Sequence, residues 1–395
     1  MVYCTATPKN HMTKSSNYAQ AESRFLSELT VPDSFQHPQA AESKQGVVDL
    51  RQAIVDAMAA PIQYPPISEA IFPGDLVAIG IQSNLPQAGS VLEAIIDPLQ
   101  DFDIVIVAGA NSVQQLESVA IADMPIANAK LVVHDCSDES SLAMIGINSK
   151  EEPVYLNRDL VEADVVIPIG CPSEDGAGGA LDCIYPFFSG TADQVSFEQA
   201  TEKQRPGRVR LANNLLGSFW STQLVIGPGD EIHSVLVGET ERVIAAAKEA
   251  SDLVWKVDLE NEAELAIATI ESRASKPTWQ DFCAALRAAD RATKPGCPIV
   301  VCSEIDSMPD KKIRQALMMA FETQPNSKSK LSAELLQISE IVRERTIFSR
   351  SELTQAKTEE LGLGFIADDT EFQRIIDNNP NGVLLRDAHR CKISL

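Results

Sequence analysis

The chain has 395 residues, 44% of them hydrophobic, and a formal net charge of −23. At about 150 residues per domain, that length asks for two or three domains rather than one core. So acidic a balance, with no cluster of Lys and Arg, argues against nucleic acid and an anionic membrane surface; local basic groups could still hold a small anion. Residues 1 to about 44 are rich in Ser, Thr, Gln and Ala and read as a poorly ordered extension, with a short helix near Tyr18 to Leu29. The spacing of Leu50, Ile54, Val55 and Met58 predicts a helix over Asp49 to Ala59, which Pro61, Pro65 and Pro66 end. The turn Phe72 to Asp75 launches a first strand, Leu76 to Ile81, and a helix follows from Gln87 to Ile96. Further strands are expected at Ile104 to Val107, at Leu131 to Val133 and at Val165 to Ile169.

Past a polar stretch from Gly190 to Arg208, read as loop plus helix, strands are expected at Gln223 to Ile226 and Ile232 to Val237. Gly227-Pro228-Gly229-Asp230 is the turn between them, and Glu239 to Ala250 is helical. A second α/β unit then reads as strands Leu253 to Val257 and Leu265 to Thr269, helix Trp279 to Ala292 and strand Ile299 to Cys302. Helical spacing returns at Lys311 to Phe321, Ser332 to Glu344 and Glu371 to Ile376, before a last strand at Gly382 to Leu385. Alternating strands and helices define an α/β protein. The expected architecture is two domains, residues 46–248 and 249–395, each a largely parallel sheet flanked by helices, with a cleft between them. Trp255 and Trp279 read as second-domain core or domain-interface residues.

Eight cysteines show no CxxC pair and no metal-ligand spacing, which suits a reducing compartment. The N-terminus has no apolar signal-peptide core, and no run reaches the roughly 18 apolar residues of a membrane helix. The expectation is a cytoplasmic protein whose partner is a small-molecule ligand, not nucleic acid or membrane, with room for homo-oligomerisation.

The chemistry concentrates where strands end. In open α/β sheets, ligands bind outside the carboxyl ends of the strands. Four exits carry Gln82 and Asn84, then Asn111, then His134 and Asp135, then Glu174 and Asp175. The last exit, Cys171-Pro172-Ser173-Glu174-Asp175-Gly176-Ala177-Gly178-Gly179, sets two acids beside three glycines that let backbone N–H groups approach a ligand. Adjacent carboxylates repel and raise the pKa of one toward a working range, which makes Glu174 and Asp175 the catalytic candidates. Gln82, Asn84, Asn111, His134, Gly176, Gly178 and Gly179 are the binding candidates. The same acids also read as solvated turn residues. No metal ligand set is assigned.

DLRQAIVDAMAAPIQYPPISEAIFPGDLV (49–77), LVVHDCSDESSLAMIG (131–146) and EEPVYLNRDLVEADVVIPIG (151–170) resemble the nickel-dependent lactate racemase family, over roughly residues 46 to 250. A weaker echo lies in ADRATKPGCPIVVCSEID (289–306). The resemblance implies a two-domain α/β isomerase with its active site in the cleft. It also implies a nicotinic-acid-derived mononucleotide, tethered to a lysine, that holds nickel in a sulfur–carbon–sulfur pincer while two histidines exchange the substrate's C2 proton.

The departures fall on that machinery. Where the family carries Asp-x-Thr-Arg after the first strand, this chain has Gln82-Ser83-Asn84-Leu85, so the carboxylate-clamping arginine is absent. Where the family has Gly-Thr-His-Arg, this chain has Gly109-Ala110-Asn111-Ser112. Glu174 stands where a histidine belongs, Ile184 lies near the lysine position, and no histidine occurs between Gly176 and Val225. His134 matches a His-Asp pair that the family does not use for proton exchange, so its expected role is structural.

Three readings follow. One is a diverged isomerase, 2-hydroxy acid racemase- or epimerase-like, that acts on a small hydroxy acid or related polar metabolite without the pincer cofactor. The second is a non-catalytic ligand-binding or regulatory homologue. The third, an intact pincer enzyme, has only His11, His37, His134, His233 and His389 to draw on. The expected cofactor is none.

Overall fold

The computed structural model describes residues 25–38, 46–110, 116, 129–148, 151–172, 181, 184–201, 203–217, 220–271, 276–321 and 331–395. The first sheet is built from β1 (Leu76–Ile81), β2 (Asp103–Gly109), β3 (Ala129–His134), β6 (Val165–Gly170), β7 (Trp220–Ile226) and β8 (Ile232–Glu239). Its order is β3-β2-β1-β6-β7-β8. Every pairing is parallel except β7 with β8. Central strands of a parallel sheet are covered on both faces, which is why Val77 to Ile81 and Ile104 to Gly109 are apolar without alternation and fully buried.

One face is covered by α1 (Leu50–Ala59), whose N-cap Asp49 accepts from the Gln52 N–H, and by α2 (Ala88–Ile96). Ile54, Met58, Val91, Leu92 and Ile95 pack there against Val77, Ile79, Ile106 and Ile167. The opposite face carries Leu160, Leu181, Ile184 and Phe188, with Val209 and Ala212 of a later helix.

Between β3 and β6 the chain forms an antiparallel hairpin, β4 (Leu142–Ile147) and β5 (Pro153–Asn157). The sequence pattern does not announce it, because a bulge between Met144 and Gly146 breaks the two-residue alternation. The polar stretch beyond Gly190 contains two helices, α3 (Thr191–Glu198) and α4 (Arg205–Leu216). After β8 comes α5 (Thr240–Trp255). The strand expected at Leu253 to Val257 is therefore a helix end followed by the short β9 (Lys256–Asp258). Val243, Ala247, Ser251, Val254 and Trp255 continue one buried helical face, and that spacing overrides the β-branched local run. The domain boundary expected at 248 falls inside this helix.

The second sheet has β10 (Leu265–Thr269), β11 (Ile299–Cys302), β12 (Ile347–Arg350), β13 (Gly364–Phe365) and β14 (Gly382–Leu385). It is wholly parallel, in the order β13-β12-β11-β10-β14. On one face pack α6 (Trp279–Ala292), α7 (Lys311–Met319) and α8 (Ala333–Glu344). A capping box between Thr278 and Asp281 starts α6. After α9 (Gln355–Glu360), which precedes β13, α10 (Asp369–Asp377) lies on the other face together with an N-terminal segment. Phe25, Leu26, Leu29 and Phe35 are buried against Leu265, Ile267, Val300 and Phe372. Gln36 bridges to Val383. Residues 25–38, inside the stretch read as a poorly ordered extension, thus form part of the second domain's core. Its four large apolar side chains bury as a unit, a signal that the polar surroundings dilute. The last strand, β15 (Lys392–Ser394), pairs with β9.

Candidate ligand site at the facing strand ends

Parallel sheets send their strand-to-helix loops out at the carboxyl ends of the strands, and here the carboxyl ends of β7 and β14 meet. In the first sheet, Gln82 leaves β1 and its N–H donates to Ile169 O at 2.9 Å, extending the ladder past the strand. Its side-chain Oε1 accepts from the Cys171 N–H at 2.7 Å. The amide therefore pins the β1 exit to the β6 exit. Asn84 is exposed in the tight loop that follows, with φ +57. Asn111, Glu174, Asp175, Gly176, Gly178 and Gly179 lie outside the described residues.

His134 ends β3 but turns inward. Its Nε2 is 3.1 Å from Ser189 O, and its Nδ1 is 3.4 Å from Asn157 Nδ2. The carbonyl can only accept and the amide nitrogen can only donate, so the ring is the neutral Nε2–H tautomer. Phe188 meets it edge-on at 5.5 Å. Burial lowers the pKa of His134 from the ordinary 6.5, against weaker opposing effects of Ser189 and Asp135. Both ring nitrogens are thus engaged within the protein. Asp135 stays outside and accepts from Ser137.

The opposing edge supplies groups that the sequence reading passed over. Arg386 and Asp387 leave β14, and Glu271 follows β10. Arg386 Nη2 donates to Glu271 Oε2 at 2.9 Å, and Thr269 Oγ1 donates to Glu271 Oε1 at 2.8 Å. Asp387 accepts from the Glu271 N–H at 3.0 Å and, across the domains, from the Gly229 N–H at 3.4 Å. Arg390 Nη2 donates to Asp230 Oδ1 at 2.6 Å, and Arg390 Nε donates to His389 Nε2 at 3.0 Å. Trp255 Nε1–H donates to Ile226 O at 2.7 Å, with the Arg390 guanidinium 5.8 Å over its ring. Trp255, which the sequence places in the second domain's core or at the domain interface, thus ties the end of α5 to the end of β7. The signal for the rest was the run Arg386-Asp387-Ala388-His389-Arg390 at a strand exit. The Gly-Pro-Gly-Asp segment reads as a plain turn, and nothing in it marks Asp230 as half of an ion pair.

Electrostatics at this junction favour charged side chains over a nucleophile. Burial pushes the Cys171 thiol up to about 12, with Arg390 opposing and Asp230 reinforcing. A thiol so raised is not a thiolate at neutral pH. Burial also lowers His389, and the neighbouring Arg390 adds to the effect. Elsewhere, burial raises the Asp193 carboxyl, which accepts from the Tyr155 N–H at 3.2 Å and the Tyr185 hydroxyl at 3.4 Å.

Among the described residues the donor set does not fit a nickel pincer nucleotide. Among the described residues no group of three or more His, Cys, Asp and Glu side chains is placed to hold a metal ion. His134 is turned to Ser189, His233 Nδ1 pairs with Ser234 Oγ at 2.8 Å, His389 accepts from Arg390, and His37 lies in the segment on the second sheet. Leu181, the residue after Gly178-Gly179-Ala180, and Ile184, near the expected lysine position, are both buried and apolar. A Cβ at Gly80 would stand 2.6 Å from Ile184 Cδ1 and 3.3 Å from Phe188, so that interior is closely packed. Among the described residues no helix is long and apolar enough to cross a membrane.

The comparisons agree with this architecture. The family model of the lactate racemase N-terminal domain matches residues 27–173. The lactate racemase apoprotein of Thermoanaerobacterium thermosaccharolyticum superposes with a TM-score of 0.76 at 15% identity, covering 93% of this chain and 97% of that one. A structural-genomics protein of Thermotoga maritima superposes with a TM-score of 0.63 at 13% identity, covering 87% and 98%. No curated protein sequence matches the chain. Residues 27–173 thus match the model of the lactate racemase N-terminal domain, and the chain has the fold of the lactate racemase apoprotein over 93% of its length.

Proposed function

We propose that this protein binds a small hydroxy acid, or a related polar metabolite, between the facing strand ends, and does so without the nickel pincer nucleotide. The observation that carries the reading is the exchange of groups around the junction. Apolar Leu181 and Ile184 occupy the stretch where a tethering lysine is expected, while Arg386–Glu271 lines the opposite edge and Arg390–Asp230 bridges the two. The clamping arginine missing after β1 has a chemical counterpart in Arg386, a planar donor suited to a carboxylate. Glu174 and Asp175 are the acid–base candidates of a diverged isomerase. A second reading, a non-catalytic ligand-binding or regulatory homologue, is favoured by the closed packing around Ile184, which leaves the parent chemistry without its anchor.

Titration calorimetry with D- and L-lactate and glycerate, in nickel-free buffer, tests the proposal. Binding is expected, and Arg386→Gln should weaken it about tenfold or more, the loss typical of a charge-assisted hydrogen bond. Absence of binding by every hydroxy acid overturns it. Incubation in deuterium oxide separates the two readings. Exchange at C2 that Glu174→Gln and Asp175→Asn abolish marks an isomerase, and no exchange marks a binding protein.

A further inference from the structure

Gln223 lies in the middle of β7, 1% exposed, and among the described residues neither its Oε1 nor its Nε2 has a hydrogen-bond partner. Ser221, two residues earlier on the same face, is fully buried and its Oγ is likewise without a partner. Folded proteins satisfy nearly all buried polar side-chain atoms, so a whole amide left open points to an occupant. Gln223 is in register with Gly170, the last residue of β6, and residues in register project to the same face. Gly170 sets no side chain beside the amide, and it ends β6 at the carboxyl end of the sheet, where α/β sheets place ligands.

We propose that Gln223 reads the polar end of the ligand. The inference rests on the hydroxy-acid reading and assigns that site a specificity-determining residue. An amide offers one donor edge and one acceptor edge side by side. A 2-hydroxy acid offers the complement: a carboxylate oxygen accepts from Nε2–H, and the hydroxyl donates to Oε1. A simple carboxylic acid lacks the second half of that pair and leaves Oε1 unsatisfied, the arrangement by which buried polar groups reject an incomplete analogue. Ser221 Oγ, about 7 Å back along the strand, is a further polar group on the same wall.

The test combines binding and stability on the full chain. L-lactate and propionate are titrated into the wild type, Gln223→Leu and Gln223→Glu, and each variant's unfolding midpoint is measured without ligand. The wild type should prefer L-lactate to propionate, and Gln223→Leu should lose about tenfold in L-lactate affinity, about 1.4 kcal/mol, with an unchanged or raised midpoint. Gln223→Glu should bind L-lactate least, because it sets a second carboxylate against the first. Equal lactate affinity in wild type and Gln223→Leu overturns the role of Gln223 and leaves the hydroxy-acid reading standing. A sharply lowered midpoint in ligand-free Gln223→Leu shows that protein groups hold the amide, and overturns it too. Failure of the wild type to bind any hydroxy acid defeats the reading itself, and the inference with it.

Discussion

Asn157 is the hub around His134. Its Oδ1 accepts from the Asp159 N–H at 3.0 Å, its Nδ2 faces His134, and its backbone N–H donates to Phe188 O at 2.8 Å, all with no exposed surface. Asn157→Ala removes a turn cap and a buried imidazole partner together, and should cost about 2 kcal/mol in denaturant unfolding. A loss under about 0.5 kcal/mol would contradict that placement. His134 also predicts a pH dependence. Its folded pKa is lowered from 6.5 by burial, so on acidification the unfolded chain takes up the proton first. The stabilisation is fully present above about pH 6.5 and is lost as pH falls through the lowered folded value. His37 and His389 are lowered too and act in the same direction. Unfolding free energy should therefore decline from pH 7 to pH 5, with a shallower decline in His134→Gln; equal slopes would show that the ring is not held neutral.

At the scale of elements, the domains are joined by side chains that strand and helix ends carry. Arg390–Asp230 and Asp387–Gly229 tie the β14 exit to the turn between β7 and β8. On α3 and α4, Glu198 and Arg205 pair with Lys312 and Glu334 of α7 and α8. Asp230 is only 5% exposed, so Arg390→Met leaves a buried carboxylate without its guanidinium and should cost about 3 kcal/mol. The double variant with Asp230→Asn should recover part of that loss; no recovery would mean that the two residues act independently. These ties also mark where sequence reading stops. Strands β1 and β14 are legible to the residue, because unbroken apolar runs bounded by turn residues have one interpretation. The Arg390–Asp230 pair joins residues 160 positions apart, and no local pattern encodes it. Gln82 was legible as a strand-exit residue, but not as the group that closes over Cys171.

At the scale of the whole molecule, a mostly parallel and a wholly parallel sheet together have the fold of the lactate racemase apoprotein. Fold and chemistry are separable because packing constrains the strands, whereas the loops at their carboxyl ends bear only the ligand's demands. The resemblance in sequence covers what builds the first sheet. On the proposed reading, the departures from the family's motifs fall at Gln82 to Leu85, Gly109 to Ser112 and Glu174 to Ile184. The central claim is that this scaffold works without a tethered nickel nucleotide. Intact-mass spectrometry of protein purified from nickel-supplemented cells, with metal analysis of the same sample, tests it most directly. The account predicts an unmodified 42.8 kDa chain without stoichiometric nickel. A covalent nucleotide adduct carrying one nickel per chain would contradict it.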